Sequence, residues 1–310
     1  MKSVQTQLKY SLAIFGLILA MFAIGGYFGQ AQAQDNLTAS SGADMSSPAA
    51  FMATPLTQVQ PSATPEIGTA VILADVRQAL KIQYRGEVES YRTAEQEYIV
   101  AKGQWESVQT LANLENAVQK TRQVLAARDR VLLVYLDLVY TTLLDTHGVN
   151  LNQREVVAAQ LKSSMDQLKA HGEQVQKSID RDAVNARSDE FELIQIKAVS
   201  SAHKGMSLIT VGKLQNVSDL AKLLHDDVLE TQKLATVSGL RQAERDRANQ
   251  QIVRSQTELT GQLQTINQTL TANQVKDVTP ASYSRTVQEL GPVYANLSQI
   301  LSFLKESLTY

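Results

Sequence analysis

Residues 111–148, LANLENAVQKTRQVLAARDRVLLVYLDLVYTTLLDTHG, carry the pattern that decides the fold. Leu111, Val118, Leu125, Leu132 and Val139 recur at every seventh position. That is the interval at which helices lie side by side in a left-handed supercoil. Asn113, with Glu115 in the first turn, predicts where the helix starts. His147-Gly148 predicts an end near Thr146, because glycine takes the left-handed cap conformation without steric penalty. At a rise of 1.5 Å per residue such a helix is about 50 Å long.

Within it, VLLVYLDLVYTTLL (Val131–Leu144) is apolar but falls short of the roughly 20 residues that cross a bilayer, and Asp137 interrupts it. It therefore reads as a helix covered on several sides by a bundle. A carboxylate facing such a core needs a partner, and Arg128, Arg130 or a residue of another helix are the candidates. The preferred reading has Asp137 pointing outward from a helix that keeps one exposed face.

Upstream, a helix is expected over Val71 to Gln109. It places Tyr84, Tyr91, Tyr98 and Trp105 seven residues apart, hence nearly in line. Ala94, Ala101 and Val108 follow the last three aromatics at an interval of three. Alternating large and small side chains suit interdigitation with a close neighbour, so the ladder reads as a packing seam and not as a sugar- or peptide-binding platform. Glu87 breaks the pattern after Tyr84 and predicts that this ring lies at the rim.

Downstream, a third helix is expected from about Gln153 to Gln176, with Val157, Leu161, Met165, Leu168 and Val175 on one side. A fourth starts near Asp180 or Asp182 and continues toward Val237, with bends marked by Gly205 and Gly212. The fifth, Leu240 to Lys276, carries Ile252, Leu259, Leu263, Ile266 and Leu270 as a coiled-coil seam. The sixth opens at Thr279-Pro280, with a kink expected at Gly291-Pro292. Residues 70–310 thus read as all-α: an elongated antiparallel helical bundle or coiled coil of five to six long helices, with a candidate subdivision near 238–240.

The N-terminus reads as an address. Lys2 and Lys9 precede an uncharged stretch from Tyr10 to Gln34, apolar mainly between Leu12 and Phe28. Ala31-Gln32-Ala33 offers a signal peptidase its small-x-small pattern, yet the apolar run is longer than an ordinary secretory core. Residues 1–33 are accordingly a signal peptide cleaved near Ala33, or a signal anchor holding the protein to the membrane through residues 10–29. Both readings export the remainder, since the lysines mark the cytoplasmic end. Residues 34–69 read as a disordered linker rich in Ser, Thr, Pro and Ala. Pro48, Pro55, Pro61 and Pro65 punctuate it, and fully extended it reaches on the order of 100 Å.

Composition removes several functions. A net charge of -2 without a dense Lys/Arg cluster gives no footprint for nucleic acid. The absence of cysteine excludes disulfides, thiol nucleophiles and thiolate metal sites. His147, His171, His203 and His225 show no helical metal spacing, and His225-Asp226-Asp227 diverge around a helix. Ser201-x-x-Lys204 matches a four-letter catalytic motif without its companions, and Asp180-Arg-Asp182 lacks the glycine and distal Glu of a calcium loop. No cofactor, metal or catalytic residue is expected. Asn36, Asn216, Asn267 and Asn296 fall in Asn-x-Ser/Thr sequons, a weak signal in a chain rich in Ser and Thr. The expectation is an exported cell-envelope protein acting as a structural, spacer or interaction module, with a protein partner or self-association through its helix faces. A helical bundle behind a single anchor also resembles, in architecture alone, the periplasmic sensor domains of bacterial receptors. That resemblance implies a ligand-sensing ectodomain as the alternative, and a secreted hydrolase stands third.

Overall fold

The computed structural model describes residues 67–233 and 239–309. The expected signal segment (1–33), the linker up to residue 66, the sequon at Asn36 and part of the proposed subdivision near 238–240 lie outside the described residues. Among the described residues all regular structure is helical: α1 Ile67–Ser107, α2 Leu111–Asp145, α3 Leu151–Lys177, α4 Arg181–Lys233, α5 Gly239–Asn273 and α6 Pro280–Thr309. None of these helices is long and apolar enough to cross a membrane, the stretch Val131–Leu144 included.

Local chemistry sets the boundaries. The Thr110 hydroxyl accepts the Asn113 backbone N–H at 3.3 Å and caps α2, one residue ahead of its first turn. Asn113, expected as the cap, instead donates its side-chain amide to the Val108 carbonyl at 2.7 Å and ties off the α1–α2 turn. The end is as expected, with Thr146 as C-cap and Gly148 at φ +76°. Asn150 caps α3, Asp180 caps α4 through the Ala183 N–H at 2.7 Å, and Thr279 caps α6 through Ser282 N–H at 3.2 Å. α6 continues through Gly291-Pro292 to Thr309.

Helices α1 and α2 run antiparallel, as the pairs Arg77–Asp145, Glu87–Arg130 and Glu97–Lys120 show. α3 and the first half of α4 pack on α2 around Leu136, Leu143, Leu161, Leu168 and Phe191. The second half of α4 packs with α5 and α6 around Leu214, Ile252, Leu259, Leu263, Val293 and Ile300. The 53-residue α4 therefore supplies both cores. Its register with α6 is parallel: His203 stacks on Tyr283, and Gln232 lies beside Ser307.

The aromatic ladder is a seam, since none of its four rings is exposed. Tyr84, expected at the rim, is instead its most buried member at 3% exposure, packed 5.8 Å from the Tyr135 ring of α2. Glu87 does not hold it out, because the long Glu side chain reaches Arg130 Nε at 3.1 Å and keeps its charge at the edge of the contact. Burial raises the Tyr84 hydroxyl pKa to about 12.

Gly205 and Gly212 serve close packing, and α4 is continuous through both. A Cβ on Gly205 would lie 2.6 Å from Val139 Cγ1 and 3.3 Å from Leu161 Cδ1. One on Gly212 would strike the Val149 side chain and lie 3.0 Å from the His147 carbonyl oxygen. The absent side chains let α2 and the loop at residues 146–150 press directly onto α4.

Candidate functional site

The buried acid of α2 is Asp129, not Asp137. Asp129 falls on the line of core positions Leu125, Leu132 and Leu136, whereas Asp137 follows Leu136 and turns half outward. Arg130 and Arg128, the expected partners of Asp137, are engaged elsewhere: Arg130 with Glu87, and Arg128 with its guanidinium carbon 3.2 Å from the centroid of the Phe191 ring. Partial burial still raises the Asp137 carboxyl pKa.

Asp129 is 3% exposed, and its Oδ2 lies 2.7 Å from His171 Nδ1 on α3. The other ring nitrogen, Nε2, lies 2.8 Å from the Arg187 carbonyl oxygen on α4. Two acceptors flank one imidazole. Both contacts are hydrogen bonds only if a proton sits on the His171–Asp129 axis in addition to the one on Nε2. The pair thus holds one titratable proton while remaining neutral overall. Burial lowers the pKa of His171, but the hydrogen bond and charge of Asp129 reverse this and leave it raised. Burial raises Asp129, opposed by the same hydrogen bond. Arg128, beside them, is brought down to about 10 by burial, and its Nε and Nη2 are buried without a hydrogen-bond partner.

A His–Asp dyad invites comparison with a catalytic base, yet general-base work needs one ring nitrogen directed at substrate. Here Nε2 is committed to the Arg187 carbonyl and the dyad is shut inside three helices. What this geometry can do is hold a proton and lock α2, α3 and α4 in register. The signal was present in the sequence: Asp129 lies four residues after Leu125, and His171 three after Leu168, both on apolar faces.

The remaining motifs separate. His225 is buried while Asp226 and Asp227 are exposed, and among the described residues no three His, Asp or Glu form a group able to hold a metal ion. Ser201 Oγ lies 3.0 Å from Ser164 Oγ, while Lys204 donates to the Gln274 carbonyl at 3.0 Å and to Gln160. Asp180 caps a helix, as above. Asn296 is buried and donates its side-chain amide to Gln262 at 3.1 Å, while Asn216 and Asn267 are half-buried on α4 and α5.

Three grooves open on the surface of the described residues, one of them, of about 420 Å³, at Gln96, Val100, Gln104 and Lys120 of α1 and α2. Another, of about 640 Å³ between α1 and α2, is lined by Glu89, Glu97, Arg122 and Arg130. Its charges are already engaged: Glu97 with Lys120, Arg130 with Glu87, Glu89 with Arg92, and Arg122 with the Ser178 carbonyl at 3.0 Å. The third, of about 320 Å³, has Leu224 of α4 and Leu308 of α6 in its walls. Further exposed apolar side chains lie on the same two helices. Val217, Leu220 and Leu224 on α4, and Tyr294, Leu301 and Leu308 on α6, are each between 38% and 63% exposed. The first three follow the i, i+3, i+7 pattern of one helix face, and the second three recur every seven residues. Sequence reading missed this second face because the buried seam of α6, at Leu290, Val293, Leu297, Ile300 and Leu304, has the same period.

Comparison with protein families, with curated proteins and with solved structures finds no match to this chain.

Proposed function

We propose that this chain is an exported, cell-envelope helical protein whose folded part is a protein-interaction module. The N-terminal segment, through residues 10–29, supplies the membrane address, and residues 34–66 supply the tether ahead of α1. The helical bundle that follows in the chain carries the contact surface. The observation that carries the reading is the apolar face of α4 and α6. Six partly exposed large side chains on two parallel helices amount to several hundred Å² of apolar surface, the size of the largest patch on a typical monomer, which is often functional. Apolar side chains at i, i+3 and i+7 are also the anchors by which one helix docks on another.

The test places a photo-reactive residue at Leu301 or, as control, at the exposed Glu258 of α5, in intact cells producing the full chain. A protein adduct at Leu301 with none at Glu258 is the expected result. Equal yields at both positions, or none at Leu301, would overturn the reading.

A further inference from the structure

We propose that the occupant of the α4/α6 face is a second copy of this chain, packed antiparallel about a two-fold axis through Leu301. The inference rests on the interaction-module reading and names its partner. Tyr294, Leu301 and Leu308 are evenly spaced about the central residue, so a two-fold axis there sets Tyr294 against Leu308 of the other copy and Leu301 against itself. The stripe is about 21 Å long at 1.5 Å per residue. Leu224 of α4 lies level with Leu301, given the parallel register fixed by His203–Tyr283 and Gln232–Ser307. The α6 of one copy thus meets the trough between α6 and α4 of the other.

Charge and size point the same way. From Leu290 to Leu304, α6 contains no Asp, Glu, Lys or Arg. About an axis at Leu301 the two charged residues further along the stripe, Lys305 and Glu306, fall opposite Leu297 and Asn296 of the other copy, so an antiparallel copy opposes no like charges along α6. Gly291, Ala295, Ser298 and Ser302 are exposed on the same helix to one side of the stripe, so no large side chain at these positions obstructs a partner there. An isologous contact uses the patch twice. On the order of 500 Å² of apolar surface from each copy, with its polar rim, reaches the roughly 1,200 Å² at which specific interfaces begin.

The native chain has no cysteine, so single cysteines report geometry directly. Full-length chains carrying Leu301→Cys, Tyr294→Cys, Leu308→Cys or Glu258→Cys are produced in cells and oxidised mildly, and a second sample receives a thiol-attached photo-cross-linker. All four positions are exposed, and an unchanged melting temperature verifies each fold. The expected result is a disulfide-linked homodimer for L301C, a mixed dimer when differently tagged Y294C and L308C chains are co-produced, and no dimer from Y294C alone or from E258C. Self-linking of Y294C as strong as that of L301C would overturn the antiparallel arrangement. Photo-adducts at position 301 to a different protein, without homodimer, would overturn the second copy while leaving the interaction-module reading standing. Absence of any adduct at position 301 from a folded chain would overturn both.

Discussion

At the scale of single residues, the most consequential group is the buried Asp129–His171 pair. Removing one partner leaves the other desolvated and unpaired, so Asp129→Ala or His171→Ala is expected to cost about 3–5 kcal/mol. For a domain of this size that lowers the melting temperature by roughly 6–20 °C. The double variant should lose less than the sum, because the two sites share one interaction, and a double-mutant cycle by thermal or urea unfolding measures the coupling. The pair also gives stability a pH dependence whose sign follows from counting protons. At the acid end the folded Asp129, raised by burial, keeps its proton at pH values where the unfolded carboxyl, at 3.8, has lost it, so this contribution also declines as pH rises. Above 6.5 the unfolded pair releases its proton while the folded one, with His171 raised, keeps it. The His171 contribution is therefore fully present below 6.5 and is lost as pH rises through its folded value. The stability difference between the native chain and D129A/H171A should shrink as the solution is made alkaline, and a difference that grows would contradict the assigned proton. His203 and His225 act in the opposite sense, since burial lowers both, so their contribution falls as pH drops below 6.5. Comparison of the native chain with the double variant cancels them. The sequence raised the question of a buried acid only at Asp137, whose preferred reading as outward-pointing agrees with its half-exposed position, and it passed over Asp129, although that residue lies four after Leu125 on the apolar face.

At the scale of the helices, periodicity and caps told most of the story. The seven-residue repeats of α2, α3 and α5 delimit helices that the structure contains, and Thr279-Pro280 opens α6 as expected. What could not be read was the role of the glycines in α4, since a bend and a close approach have the same sequence signature. The two roles have opposite mutational signs. Ala in place of Gly at an open helical position gains roughly 0.5–1 kcal/mol, so Gly86→Ala and Gly103→Ala on α1, with nothing within 4 Å of the new Cβ, should raise the melting temperature. Gly205→Ala and Gly212→Ala should lower it, by about 1–3 kcal/mol of overpacking against Val139 and Val149. If all four variants shift in one direction in a calorimetric scan, close packing is not why glycine stands at 205 and 212. The seam of α1 was legible because Ala94 and Ala101 alternate with the rings. Tyr84 was misplaced to the rim because the reach of Glu87 toward Arg130 depends on a helix 43 residues away in the chain.

At the scale of the whole molecule, the proposal joins an N-terminal export address to a folded body that acts through its surface. Export has a direct consequence. A cysteine at the exposed Glu258, in a chain that otherwise has none, should react with a membrane-impermeant maleimide in intact cells, and reaction only after permeabilisation would contradict export. The contact face was the least legible feature, because exposure depends on which of two overlapping heptad stripes the neighbouring helices cover. It is also where the account is most exposed to measurement. Sedimentation of the full chain in mild detergent, native against Leu220→Glu/Leu301→Glu, compares two proteins that should have the same helicity by circular dichroism, since both leucines are exposed. The native chain should sediment as a dimer and the double variant as a monomer. Identical sedimentation of the two would contradict the claim that the α4/α6 face joins two copies of this chain.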